Sequence, residues 1–134
     1  MKKTFTISAV IPTYQGGDNI WRLTDTLLNQ HPQHAELAEV VIYSDASPDD
    51  TVKKPLQIRN QRLRIIRAKK RRGFAFAVKH LLLHTAADVV VVLNDDIIIK
   101  NDNFLDQLTE PFRRQKGVGL VGGRVEPLPS RSFW

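Results

Sequence analysis

Apolar residues recur along this chain with two periods, and the changes between them mark out its elements. Phe5, Ile7, Ala9, Val10 and Ile11 form a β-rich run that stops at Pro12, and a Tyr-Gln-Gly-Gly turn follows. A first strand is expected over 5–12. From Asp18, predicted as an N-cap, Ile20, Leu23, Thr24, Leu27 and Leu28 recur at helical spacing until His31-Pro32 ends the pattern. That places a helix over roughly 19–30. A second apolar run, 39–43, leads into the polar turn Ser-Asp-Ala-Ser-Pro-Asp-Asp, whose last acids can cap a short helix limited by Pro55. Residues 63–66 read as a third strand, and Gly73 opens a helical stretch to about His84.

The run Val-Val-Val-Val-Leu at 89–93 is continuous rather than alternating. Such a strand is covered on both faces, as in a parallel sheet between helix layers, so it is expected at the centre of the sheet. Asp102 is predicted to cap a further helix through about Gln115, and 118–122 is expected to be a fifth strand. The order βαβαβαβαβ with short connections gives a doubly wound, mostly parallel α/β sheet with helices on both faces. Its ligand crevice should lie outside the carboxyl ends of the strands. The 134 residues fit one domain, expected over 1–125, and the Pro-rich tail 126–134 closes no element, which suggests a truncated piece of a longer protein.

Charge changes this picture in one place. The net charge of +6 is local, because residues 53–79 hold eleven Lys or Arg and no acid. A block of this kind suits nucleic acid, an anionic membrane surface or a phosphorylated small molecule, and charge alone does not choose between them. Aromatic residues are not interleaved with these charges, so no nucleic-acid partner is expected. The chain has no Cys, which excludes a disulfide framework, a thiolate metal site and a Cys nucleophile. No apolar run is long enough to span a membrane and no signal peptide pattern follows Met1, so a cytoplasmic location is expected.

Three polar clusters follow three strands: Thr13-Tyr14 after the first, Ser44-Asp45 after the second, and Asn94-Asp95-Asp96 after the fourth. In a doubly wound sheet all three face one crevice. Acids at a strand end beside a basic segment suit a phosphorylated ligand bridged by a divalent cation, with Asp96 the best metal ligand. At Arg72-Gly73-Phe74 the glycine lets backbone approach a ligand at a helix start, and Lys69 to Arg72 raise the potential for a diphosphate. His80 and His84 are four apart, but no third ligand accompanies them and a plain helix face is expected. Trp21 and Phe74 are expected in the core.

Val10-Ile-Pro-Thr-Tyr14 with Gly16-Gly17, Val41-Ile-Tyr-Ser-Asp-Ala-Ser-Pro-Asp-Asp-Thr51, Arg72-Gly-Phe-Ala75 and Val92-Leu-Asn-Asp-Asp96 occur in one order and spacing. Together they resemble the nucleotide-sugar-binding half of family 2 glycosyltransferases of the GT-A type, over essentially the whole chain. The resemblance implies a Rossmann-like nucleotide-diphospho-sugar transferase fold, with Pro12, Thr13 and Tyr14 lining the nucleoside pocket. It also implies that Asp45 hydrogen-bonds the base, Asp95 approaches the ribose, and Asp96 binds Mn²⁺ or Mg²⁺ on the diphosphate. Two positions depart from the family pattern: Ser44 replaces one of two adjacent acids, and Val78-Lys79 stand where Arg-Asn is common.

The partners implied are a nucleotide diphosphate sugar and an acceptor, with a saccharide or lipid-linked saccharide and peripheral contact with the inner face of a membrane all open. No catalytic residue is assigned, since the acids after Asp96 do not suit a base and one is expected beyond Trp134. The alternative is a non-catalytic nucleotide-binding module of the same fold.

Overall fold

A computed structural model describes residues 4–128 of the chain. Its elements are β1 (Phe5–Thr13), α1 (Gly17–Leu28), β2 (Ala35–Ser44), β3 (Leu63–Arg67), α2 (Phe74–Leu83), β4 (Val89–Val92) and α3 (Phe104–Arg114). A 3-10 turn, Pro55–Gln57, starts on its proline and is all that forms of the short helix expected there. The four strands make one parallel sheet in the order β3-β2-β1-β4. The chain therefore steps outward from β1 to β3, then returns and adds β4 on the other side of β1. That reversal is a topological switch point, and it opens a crevice at the carboxyl ends of β1 and β4.

Side-chain alternation along β1 supplies both layers of the core. Ile7, Ala9 and Ile11 face the side covered by α1 and α3, where they pack with Ile20, Leu23, Leu27, Ile42 and Leu105. Val10 faces the other side and packs with Val41 and Tyr43 against Ala77 and Leu81 of α2. Helices thus cover both faces, as the order of elements predicts. Pro12, which has no N–H to donate, is tolerated inside a central strand because β4 pairs with β1 only as far as Val10↔Val92.

Several expectations from the sequence are corrected. The valine run is an edge strand rather than the centre of the sheet, and Val92 is 40% exposed. The interior positions belong to β1 and β2, each of which has partners on both sides. Residues 118–122 form no strand, and Leu120 is 90% exposed. Glycines at 117, 119, 122 and 123 weaken the strand tendency of this segment. Asp18 lies inside the first turn of α1, with Gly16 at the N-cap, and accepts a 2.6 Å hydrogen bond from Lys54 instead. Asp102 does not cap α3 either, because Asn103 holds the N-cap position with no side-chain hydrogen bond. Trp21 and Phe74 are exposed rather than core; Phe74 is 58% exposed. β2 begins earlier than expected because an irregularity between Ile7 and Ser8 absorbs Ala38 and lets 35–37 pair too. The expected domain 1–125 loses only its first three residues from view, whereas 129–134 of the expected tail lie outside the described residues.

The position of the core edge can be tested by equilibrium urea unfolding. Ile11→Ala removes a fully buried side chain and should cost about 3 kcal/mol. Leu120→Ala should stay within about 0.5 kcal/mol; a comparable loss at both positions would show that residue 120 is buried.

Candidate functional site

Because every strand runs the same way, the residues after β1, β2 and β4 all emerge at one edge of the sheet. Hydrogen bonds then join them. Thr13 Oγ1 donates to Asp95 Oδ2 at 2.5 Å, closing β1 onto the loop after β4. The N–H of Asp45 donates to the carbonyl of Thr13 at 2.9 Å, which sets the β2 cluster beside the first two. The carboxylate of Asp45 accepts from two backbone amides, Arg72 N at 2.8 Å and Gly73 N at 2.7 Å. Thr13, Asp45 and Asp95 thus meet at one edge of the sheet, as the strand order leads one to expect, and Gly73 joins them through its amide.

Asp45 is only 5% exposed, so its charge needs these partners. Each of its oxygens keeps a lone pair for a further donor. Gly73 has φ 89° and ψ 166°, a backbone region that other residues avoid, and it precedes α2 with no side chain capping the helix. The first-turn amides of α2 are therefore open to an anion. Beneath the site, burial pushes the Tyr43 phenol up from its ordinary pKa; the Asp45 charge adds to this and Arg72 opposes it. Tyr43 stays neutral at physiological pH.

The remaining predicted residues differ in placement. Tyr14 stands at the rim, with the Arg71 guanidinium carbon 3.7 Å over its ring centroid, so one ring face is taken and the other remains. Pro12 is buried one step below the rim, in register with Tyr43. Asp96 is exposed next to Asp95 and makes no hydrogen bond or ion pair among the described residues. Its free carboxylate is a hard oxygen donor suited to Mn²⁺ or Mg²⁺. No cluster of three metal-ligating side chains occurs among the described residues, so phosphate oxygens and water would have to complete a coordination sphere. His80 and His84 stack at 4.2 Å, with His84 Nδ1 against the His80 carbonyl, which is a helix-face arrangement.

Three features of the site escape a reading by motif. Gly16 is required by space: an added Cβ would crowd Thr13 Oγ1 and stand 2.7 Å from Asp95 Oδ2. Ala46 and Gln15 both adopt positive φ, 56° and 55°. Ser47 Oγ accepts from Gln15 N and from Ser44 Oγ, tying the β1 and β2 loops to each other. Only Gly16 left a signal in the sequence.

The model of the family described as Glycosyl transferase family 2 matches residues 8–134. The chain belongs to glycosyl transferase family 2. This family 2 chain is 26% identical over 129 residues to a dolichol-phosphate mannosyltransferase of Pyrococcus furiosus, covering 92% of the chain and 36% of that relative. Among solved structures it is similar to a mannosyltransferase from Pyrobaculum calidifontis in complex with GDP-Man and Mn²⁺, with TM-score 0.69 and 22% identity over 81% of the chain and 32% of that protein. It is also similar to glucosyl-3-phosphoglycerate synthase from Mycobacterium tuberculosis in complex with Mn²⁺, UDP and glucosyl-3-phosphoglycerate. There the TM-score is 0.68 and identity 22%, over 85% of the chain and 42% of that protein. These structures show the fold, and the family 2 chain spans 32% to 42% of the length of these three relatives.

Two substitutions test the backbone of this family 2 site. Ala46→Gly should raise stability by up to about 1 kcal/mol, because glycine relieves the cost of positive φ. Gly16→Ala should lower it by about 1–3 kcal/mol through overpacking against Thr13 and Asp95. Thermal unfolding of both variants checks the signs; a destabilised Ala46→Gly would mean that the turn does not hold the strain assigned to it.

Proposed function

We propose that this chain is the donor-binding part of a metal-dependent glycosyltransferase, which moves a sugar from a nucleotide diphosphate sugar to an acceptor whose class, a saccharide or lipid-linked saccharide among others, stays open. The observation that carries this reading is the junction of Thr13 with Asp95 at the switch point, beside the turn held by Asp45. The family match and the nucleotide and Mn²⁺ complexes of the similar proteins support it.

In this reading Asp95, oriented by Thr13, accepts from a ribose hydroxyl. Asp45 uses a remaining lone pair for the base N–H, and the free face of Tyr14 together with Pro12 borders the nucleoside. Gly73, which has no side chain to obstruct it, admits the diphosphate to the open amides of α2. Asp96 would hold the divalent cation, whose charge stabilises the departing diphosphate. In the transfer, the bond from the sugar anomeric carbon to the phosphate oxygen breaks as the acceptor oxygen bonds to that carbon, and the acceptor proton passes to a carboxylate.

That base is assigned outside residues 1–134. α3 starts beside the carboxyl end of α1, where Asp106 accepts from the amides of Gln33 and His34, so Asp102, Asp106 and Glu110 are remote from the crevice. Glu126 pairs with Arg124 at 3.5 Å. Among the described residues no helix is long and apolar enough to cross a membrane. A cytoplasmic site of action, at the inner face of a membrane for a lipid-linked acceptor, accords with the open acceptor class.

Calorimetric titration with UDP, dTDP and GDP, each with Mn²⁺, tests the reading. One nucleotide should bind, Asp96→Ala should abolish its metal-dependent binding, and Asp102→Ala should leave affinity within about twofold and stability within about 0.5 kcal/mol. The chain by itself should transfer no sugar over multiple turnovers. Negligible heat with all three nucleotides, or equal losses in the two variants, would sink this assignment.

A further inference from the structure

Four consecutive cations, Lys69 to Arg72, lie in the turn that leads into α2, and the two arginines are held in opposite directions. Arg72 lies over Phe76 at 4.8 Å, and Phe76, His80 and His84 continue the stack along α2, away from the strand ends. Arg71 turns the other way. Its guanidinium rests on Tyr14, the residue after Thr13, and so lies at the carboxyl end of β1, on the edge of the sheet where the crevice opens.

A guanidinium stacked on a ring offers the ring its face and keeps its N–H donors in plane, pointing outward. Those of Arg71 meet no acceptor among the described residues, in hydrogen bond or ion pair. Its backbone is equally constrained, because the next two amides are bound to Asp45. The ordering of a long side chain, normally a cost of binding, has already occurred here. The local charge also calls for a cation: Asp95 and Asp96 already place two carboxylates in the crevice, and the buried positions of α2, Ala77 and Leu81, are apolar.

We propose that Arg71 is a nucleotide-binding residue that donates a fork of N–H groups to the phosphate oxygens of a nucleoside diphosphate, with Tyr14 as the positioning residue that fixes the guanidinium. The inference rests on the nucleotide-binding reading above and adds to it the residue that distinguishes a diphosphate from a monophosphate.

The test compares UDP with UMP and GDP with GMP, each with Mn²⁺, by calorimetry on the whole chain, with thermal unfolding as a check on folding. Arg71→Ala should weaken diphosphate binding about tenfold and monophosphate binding far less, narrowing the preference between them. Arg71→Lys should recover only part of the loss, since an ammonium lacks the planar fork. Tyr14→Phe, which keeps the ring, should retain the preference, and Lys79→Ala, an equal change of charge on the outward side of α2, should alter affinity less than twofold. The double variant Tyr14→Ala/Arg71→Ala should lose less than the product of the single losses. Diphosphate affinity within twofold of wild type in Arg71→Ala, or equal losses for mono- and diphosphate, would overturn the role of Arg71 alone. A wild-type chain that binds neither UDP nor GDP would remove the nucleotide reading and this inference together.

Discussion

The carboxylate of Asp45 accepts the amides of Arg72 and Gly73, and this pair of bonds fixes where α2 begins relative to the sheet. A charge so deeply buried is tolerated only when each oxygen is hydrogen-bonded, so the loop from β3 must return to the same place each time the chain folds. Gly73 makes that return possible with a backbone conformation closed to other residues. The amide of Asp45 meanwhile bonds the end of β1, so one residue joins β1, β2 and the start of α2. The direction of Arg71 toward Tyr14 and the open amides of the helix follow from this placement.

The crevice owes its position to topology and its shape to a missing methyl group. Reversal of strand order at β1 leaves the ends of β1 and β4 without a crossing connection, and the loops after them separate there. Thr13 and Asp95 close part of that gap with a short hydrogen bond, which Gly16 permits by having no side chain to intrude. Asp95 is held by the buried Thr13 while Asp96, the next residue, is exposed, so the acids divide into one that is held and one that is free. A fixed carboxylate suits the orienting of a hydroxyl, and a free one suits a hydrated ion.

Elements whose hydrophobic period is set by a nearby core were legible from the sequence: α1 by its recurring Ile20, Leu23 and Leu27, and β1 by its β-rich run ending at Pro12. The assignment of β4 to the centre failed because apolar character reports what can be covered and not which strands are beside it. Asp18 and Asp102 failed as caps for a related reason. Capping depends on which residue takes the last non-helical backbone position, and in both helices a neighbour takes it. Residues 118–122 carried strand-like side chains on a glycine-rich backbone with no partner strand. In the site, the residue types and their convergence were legible, since strand ends in a parallel sheet must share an edge. The stacking of Arg71 on Tyr14 was not, because it depends on the path of a turn that only Asp45 determines.

The sheet is clad unequally, with α1 and α3 on one side and α2 alone on the other, over a core of Val10, Val41, Tyr43, Ala77 and Leu81. On that side α2 is held through two buried side chains, Ala77 and Leu81, so its detachment is a sub-global opening available to the molecule. That opening would dismantle the anion cradle, since the glycine turn and the first-turn amides leave with the helix. Ligand occupancy and the seating of α2 are therefore one linked equilibrium, and an anion bound there would tighten the thinner side of the protein.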